Sequence, residues 1–218
     1  MKYTLYNYWR SSSSWRVRIA LEHKRLAYTY VGVPLLEGAQ RRDDYAAMNP
    51  MRQVPTLVVT DDGGAQHELA QSLAIIEYLD ETHPTPPLLP RDPIARARVR
   101  QLAEIVNSGI QPHQNTGTLA ALAKLGQDGP AWARAFITDG LAAMEAIARR
   151  TAGRFLVGDE LSIADVCLIP QLFGARRFGA DLTNVPTLLR VEEACNALEA
   201  FRRAHADVQP DAAAPQQS

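Results

Sequence analysis

The sequence predicts an α/β plus all-α architecture: an N-terminal domain with the element order βαβαββα, followed by an all-helical C-terminal domain. Three observations carry this expectation. Short β-branched and aromatic runs alternate with helical patterns only before about residue 85. The stretch THPTPPLLPRDP at 82–93, with five prolines, then interrupts both kinds of pattern. Beyond it every periodic segment recurs at helical spacing, and no strand signal of comparable quality appears past residue 92. A chain of 218 residues suits one or two domains.

The elements follow in order. Thr4-Leu5-Tyr6-Asn7-Tyr8 reads as a strand, and from Trp15 to His23 the period changes, with Val17, Ile19, Ala20 and Leu21 set among spaced arginines. Tyr28 to Val33 is a second strand, and Arg41 to Met48 a short, weaker helix. Thr56-Leu57-Val58-Val59-Thr60 is a clear strand, Asp61-Asp62-Gly63-Gly64 a turn, and a short strand lies around Glu68-Leu69. Ser72 then caps a helix that carries Ile75, Ile76 and Leu79 on one face. A βαβ unit, a hairpin and a closing helix make a thioredoxin-like plan. The expected organisation is a thioredoxin-like domain at 1–82, a stiff linker at 83–92 and a helical domain at 93–218. In the helical part, Ile94, Leu102, Ile105, Val106 and Ile110 trace one helix face; Trp132, Phe136, Leu141, Met144 and Ile147 trace another. The tail from Ala206, rich in Ala, Pro, Gln and Asp, is expected to be loosely ordered.

Composition narrows the function. Hydrophobic residues make up 46% and charged residues 22%, enough apolar side chain for a real core. The net charge of −1 argues against a nucleic-acid binder, which needs a basic surplus, and 7% aromatics leave few platforms on which bases could stack. No run approaches the ~18 apolar residues of a membrane span, and MKYTLYNYWRSSSS lacks the apolar core of a secretory signal. Cys167 and Cys195 lie far apart in apolar helical contexts, so they read as buried thiols rather than a disulfide or metal ligands. The expectation is a reduced, cytoplasmic protein with no metal, no nucleic-acid partner and no membrane attachment.

Five motifs could carry chemistry. In YWRSSSSWRVRIAL, four serines separate a strand from a helix. The first helical turn leaves backbone N–H groups without partners, and small hydroxyl residues there let an anion approach. A serine-rich cap with solvated arginines explains the same letters. Gln53-Val54-Pro55-Thr56 opens a strand. In this fold context the proline is cis and leaves the backbone before it to pair with an extended peptide ligand, whereas by base rate it is a trans strand-initiating proline. Gln71-Ser72 starts another helix, a second anion position or an ordinary cap. Ser162 and Asp165 form an S-x-x-D capping box, flanked by Leu161 and Val166 as a hydrophobic staple; Asp165 is therefore a buried cap and not a catalytic carboxylate. Arg10 and the pair Arg176-Arg177 suit carboxylate recognition or a solvated face.

Together these residues resemble the zeta class of the glutathione transferase superfamily, the maleylacetoacetate isomerases, from about Tyr3 to Phe201. The class signature of serine, serine, cysteine, any residue, tryptophan or histidine, then RVRIAL is matched by Ser11 to Leu21 at every position but the cysteine, where Ser13 stands. Asn49 to Leu57 (NPMRQVPTL), Gln71 to Leu79 (QSLAIIEYL), Gly109-Ile110-Gln111-Pro112 with Asn115, and Val157-Gly158-Asp159-Glu160 running into the capping box match as well. The resemblance implies glutathione as cofactor, held by Ser11, Ser12, Ser13, Ser14, Trp15, Arg16, Gln40, Val54, Gln71, Ser72, Gln111, Asn115, Thr116 and Gly117. It implies a homodimer, and Ser11, Ser13 and Arg10 as the catalytic set, with Arg10 and Arg177 on the substrate carboxylate and Arg176 as the near-equal choice for the second cation.

The reaction it implies is cis–trans isomerisation of maleylacetoacetate to fumarylacetoacetate in tyrosine or related aromatic breakdown. A thiolate adds to the conjugated alkene, the new single bond rotates, and elimination returns thiolate and trans product. Ser13 stands where the class has cysteine; the glutathione sulfur can do the addition, and a hydroxyl can still donate to it. The similar maleylpyruvate isomerases tolerate hydroxyl residues there, but their extra arginine pair after the Gln-Asn segment is replaced by Thr116-Gly117, which favours maleylacetoacetate. A transferase acting on small α-halo acids or other electrophiles, and a non-enzymatic interaction module of the same fold, are the alternatives.

Overall fold

The structure, a computed structural model, describes residues 1–212. It forms two compact units: Met1–Pro86 together with the segment from Leu198 onward, and Pro87–Ala197. The break falls inside the proline run, and no helix or strand covers 83–92. The division differs from the expected one at its far end, because the last stretch of the chain groups with the first unit rather than with the helical one.

The first unit is built on a four-stranded sheet: β1 (Lys2–Asn7), β2 (Tyr28–Gly32), β3 (Thr56–Thr60) and β4 (Gln66–Ala70), in the order β2-β1-β3-β4. β1 runs parallel to β2 and antiparallel to β3, which pairs antiparallel with β4. Between them lie α1 (Ser12–His23), α2 (Asp43–Met48) and α3 (Ser72–Thr82). Every expected element of this half is present, in the expected order.

Burial around α1 is complete: Ser14 to Leu21 are all buried, so Arg16 and Arg18 are wholly removed from solvent rather than solvated. A helix apolar on every side is a core helix, and polar groups within it must find partners. Lys24, just past its end, is equally enclosed. Its Nζ donates to Asp80 Oδ1 at 2.8 Å and to the carbonyls of His83 and Pro86 at 2.6 and 2.9 Å, pinning the start of the linker.

The tail is not loose where it is described. α10 (Glu199–Ala204) packs on α1, burying Phe201, and short 3₁₀ turns follow at Ala206–Val208 and Pro210–Ala212. Asp211 holds the Tyr30 hydroxyl and the Trp9 N–H. Composition suggested disorder because Ala, Pro and Gln carry no periodic signal; a few long-range hydrogen bonds order the segment instead. The remainder of the expected loose tail, 213–218, lies outside the described residues.

The second unit is helical: α4 (Pro93–Glu104), α5 (Gln111–Gln114), α6 (Thr116–Lys124), α7 (Gly129–Thr151), α8 (Ile163–Arg177) and α9 (Pro186–Asn196). Among the described residues it has no strand, only an isolated bridge between Ala152 and Gly158. α4 continues into a π-helical turn at Ile105–Ile110, which widens the path and re-aims the chain before α5. Leu102, Val106, Ile110, Leu141 and Met144 are buried as expected; Ile94 and Trp132 face solvent, 67% and 41% exposed.

Asp165 is wholly buried and accepts from the Leu156 N–H at 2.8 Å, the Ser162 N–H at 2.9 Å and the Ser162 hydroxyl at 2.7 Å, so the capping box forms as expected. Glu145 of α7 does the same service for α9, accepting from the N–H groups of Thr187 and Leu188 at 3.3 and 3.1 Å. Cys167 and Cys195 are both buried, and neither is in a disulfide. Among the described residues no helix is long and apolar enough to cross a membrane, and no cluster of His, Cys, Asp or Glu could hold a metal ion.

Candidate active site

Register assembles the site in the first unit. Tyr6 at the end of β1 pairs with Thr56 at the start of β3, and Thr56 pairs with Ala70 at the end of β4. Three connections therefore leave the sheet at one end: the turn Tyr8–Ser11 into α1, the segment Gln53–Pro55 into β3, and Gln71–Ser72 into α3. Two of them are helix N-termini, where unpaired N–H groups and the macrodipole favour an anion.

The serine turn is closed by Ser11 N–H donating to the Tyr8 carbonyl at 3.0 Å. Ser11 caps α1: its Oγ accepts from the Ser14 N–H at 3.3 Å. Ser12 and Ser13 are half-buried on the first turn, while Ser14 points inward and its Oγ accepts from the Tyr8 N–H at 3.5 Å. The side chains of Trp15 and Arg16 turn to the core. Trp15 meets His205 edge-on at 4.7 Å, and Arg16 Nη1 donates to Ser72 Oγ at 3.3 Å. Arg10 is half-buried with its guanidinium 5.4 Å from the Trp9 ring.

The Val54–Pro55 peptide is cis, as the fold context required. Two side chains fix the chain just before it. Tyr45 OH and Asn49 Nδ2 both donate to the Gln53 carbonyl, at 2.7 and 2.8 Å, and both reach Thr56 Oγ1. Among the described residues nothing hydrogen-bonds to the Val54 backbone, which is the condition for an extended ligand to pair there as a strand would. Gln71 has φ +70°, a left-handed backbone that a side-chain-bearing residue adopts at a cost; it sits exposed at the N-cap of α3. Gln40 Oε1 is buried with no hydrogen-bond partner. A buried orphan acceptor is rare in a finished core and marks a place where a ligand donor fits.

The remaining expected positions lie in the second unit. Gln111 Nε2 donates to Asn115 Oδ1 at 2.9 Å, Gln114 Nε2 donates to Gln111 Oε1 at 3.3 Å, and buried Gln114 and Gln171 exchange hydrogen bonds at 3.0 and 3.3 Å. This run of amides ends at the two positions named by the resemblance. Thr116 and Gly117 are exposed at the start of α6. Arg176 is committed to a two-pronged pair with Glu192, at 2.6 Å on each prong. Its neighbour Arg177, exposed at the end of α8, lies over the Phe178 ring at 4.6 Å.

Sequence reading gave no supporting role to Tyr45, Asn49, Arg18, Gln114 or Gln171: Gln114 bonds Gln111 directly and Gln171 bonds Gln114, while Tyr45, Asn49 and Arg18 hold the chain next to named positions, at Gln53 and at Tyr8-Trp9. One signal was available for Arg18: arginines set within Val17, Ile19, Ala20 and Leu21, apolar on every face, cannot all reach water. A cleft of about 970 Å³ elsewhere in the first unit is lined by Glu22, Leu26, Tyr28, Arg203 and Val208 among others. None of the positions named by the resemblance lines it, so cavity size does not locate this site.

Comparison with known proteins agrees with the geometry. Residues 5–87 match the family model of the glutathione S-transferase N-terminal domain, and 120–206 that of the glutathione S-transferase C-terminal domain. The chain is 48% identical to the maleylacetoacetate isomerase of Rattus norvegicus, over 96% of this chain and 95% of that one. Among solved structures it is similar to the maleylacetoacetate isomerase of Anaeromyxobacter dehalogenans 2CP-1 with glutathione bound in the active site: TM-score 0.89, 54% identity, 97% and 98% of the two chains covered. That protein has also been crystallised with dicarboxyethyl glutathione and citrate in its active site. A bacterial zeta-class maleyl pyruvate isomerase is similar at TM-score 0.90 and 43% identity, covering 96% and 100%.

Proposed function

The chain belongs to the glutathione S-transferase family and within it to the zeta-class maleylacetoacetate isomerases, and from that premise we propose that it is a glutathione-dependent isomerase converting maleylacetoacetate to fumarylacetoacetate in the breakdown of tyrosine or related aromatic compounds. The observation that carries the reading is the convergence of the serine turn, the Val54 backbone and Gln71-Ser72 at one end of the sheet.

The residues fit the tripeptide. Val54 offers its unpaired backbone to the cysteinyl part, Gln71-Ser72 receives the γ-glutamyl carboxylate at a helix start, and Gln40 offers a buried acceptor that has no other partner. Gln111, Asn115, Thr116 and Gly117 are carried as binding positions on the resemblance. Glutathione supplies a thiolate that adds reversibly to the conjugated double bond. The protein's own part is to keep that sulfur anionic, which falls to the Ser11 hydroxyl, Ser13 and the first N–H groups of α1. Arg10 and Arg177 are the cations assigned to the substrate carboxylate. Dicarboxyethyl glutathione, seen in the Anaeromyxobacter relative, joins the tripeptide's sulfur to a two-carboxylate chain, the chemical class this reading requires.

Maleylpyruvate is the second substrate to test, because a maleyl pyruvate isomerase is among the similar structures. Thr116-Gly117, in place of the arginine pair of that group, favours maleylacetoacetate. Parallel optical assays with both substrates and glutathione decide it: turnover of maleylacetoacetate should exceed that of maleylpyruvate, with no glutathione left on the product. Product that retains the glutathionyl group would make the protein a conjugating transferase, and no glutathione binding at millimolar concentration would make it an interaction module. We place the protein in the cytoplasm as a homodimer; a monomer in sedimentation equilibrium would remove the second assignment.

A further inference from the structure

The turn that carries Arg10 and Ser11 is gripped from both sides of one residue. Trp9 N–H donates to Asp211 Oδ2 at 3.0 Å, and the Trp9 carbonyl accepts from Arg18 Nη2 at 2.8 Å. Arg18 is completely buried. Its Nη1 also donates to Asn7 Oδ1 at 2.9 Å and to the Tyr8 carbonyl at 3.4 Å, and its Nε to the Ala204 carbonyl at 3.2 Å. Asp211 is held in turn by the Tyr30 hydroxyl on β2. Burial lowers the Arg18 guanidinium to about 10, partly offset by the fields of Tyr30, Tyr28 and Asp211, so it stays cationic at neutral pH.

Enclosing a full charge costs several kcal/mol that packing alone does not return. Four hydrogen bonds from the guanidinium, to Asn7, Tyr8, Trp9 and Ala204, are the local compensation. The last described residues of the chain thus close on the one turn whose position sets where Ser11 points. Catalytic groups lose rate steeply when displaced by as little as ~1 Å.

We propose that Arg18 and Asp211 are positioning residues for the thiolate site: a clamp on the Trp9 peptide through which the C-terminal segment fixes the Ser11 hydroxyl and Arg10. The inference rests on the functional reading above for its catalytic consequence, and on geometry alone for the clamp.

The test uses the full chain with Asp211→Ala, Asp211→Asn and Tyr30→Phe. Three readouts apply: amide exchange at Trp9 in the ligand-free protein, the ultraviolet thiolate band of bound glutathione against pH, and the split between kcat and KM. Asp211→Ala should speed Trp9 exchange by about tenfold or more, the scale of one charge-assisted hydrogen bond. It should raise the bound thiol's pKa and lower kcat at neutral pH, with kcat recovering at higher pH, and weaken glutathione binding only by the few-fold that the lost thiolate stabilisation carries through linkage. Asp211→Asn keeps one acceptor oxygen for Trp9 and should recover most of each effect; Tyr30→Phe should fall between. A loss of thermal stability with Trp9 exchange and thiol ionisation unchanged would overturn the proposal, as would Asp211→Asn behaving like Asp211→Ala. If the wild-type protein shows no thiolate band, the functional reading fails, and Trp9 exchange still decides the clamp.

Discussion

Arg16 Nη1 donates to Ser72 Oγ across 3.3 Å, joining the second turn of α1 to the first residue of α3. A serine hydroxyl has one proton to give and lone pairs to accept with. Accepting from a guanidinium leaves that proton to point outward, and the cation strengthens the hydroxyl as a donor. Ser72 is the first residue of α3, whose N-cap is Gln71 and not Ser72 as the sequence suggested, and under the proposed function its hydroxyl is the donor to the ligand carboxylate. Ser72→Ala should weaken glutathione binding by about tenfold, the scale of one hydrogen bond to a charged group, while Ser72→Thr retains most of the affinity. Calorimetric titration with glutathione checks both; an unchanged affinity in Ser72→Ala would detach this hydroxyl from the ligand.

Ser11 has two tasks that one substitution separates by readout. As a cap it accepts from the Ser14 N–H at 3.3 Å, and losing it should cost about 1 kcal/mol of stability. As a donor to the sulfur, its loss should raise the bound thiol's pKa by about one unit and depress turnover at neutral pH, with recovery at higher pH. A Ser11→Ala protein with the thermal loss but an unchanged pH–rate profile would be a cap variant only. In the second unit, Arg177→Ala should raise KM for the substrate several-fold and leave glutathione affinity alone; a fall in glutathione affinity only would reverse the assignment. Arg176 should be quieter in this assay, since its guanidinium already holds Glu192.

The fold was legible because its elements are local. β3 is a β-branched run closed by an Asp-Gly turn, and α8 starts on a capping box, so each announces itself within about ten letters. The two helix starts, Ser11–Ser14 and Gln71-Ser72, were legible for the same reason, because a helix start is written next to the residues it presents. What stayed hidden depends on contacts far along the chain. Glu145 sits in a long helical run with no local pattern to mark it, yet it is 3% exposed and caps a helix more than 40 residues on. Asp211 lies in a tail of weak pattern and meets Trp9 and Tyr30 only after folding. Periodicity has no means of expressing such pairs, and the ordered tail was accordingly misjudged.

Gly140 illustrates a sign that local propensity gets wrong. In the interior of a helix, glycine to alanine ordinarily gains about 1 kcal/mol. Here a Cβ at 140 would run into the side chain of Ile110, which is wholly buried on the π-helical turn before α5. Overpacking of this kind costs about 1–3 kcal/mol, so Gly140→Ala should be destabilising. The double variant Gly140→Ala, Ile110→Ala should cost less than the sum of the two single changes, since each relieves the other. Thermal or urea unfolding of the four proteins measures the coupling; strict additivity would mean that the two side chains do not meet.

Asp165 sets a pH dependence whose direction follows from its burial. Desolvation pushes its carboxyl up to about 6 from an ordinary 3.8, against the lowering by the Leu156 N–H and by the hydroxyl and N–H of Ser162. Between those two values the folded chain keeps a proton that the unfolded chain has released. The contribution of Asp165 therefore favours folding most at low pH and declines as pH rises from about 4 to about 6, where both states become ionised, and it is flat above that. Asp165→Asn removes the titration. The stability of wild type minus that of the variant, followed by urea unfolding, should fall through this window and then level. Asp165→Ala should cost on the order of 3 kcal/mol at pH 7, because it leaves the Leu156 and Ser162 N–H groups buried without an acceptor. A difference between wild type and Asp165→Asn that grows with pH over the same window would mean that the hydrogen bonds outweigh burial and that the capping carboxylate is ionised well below its ordinary range.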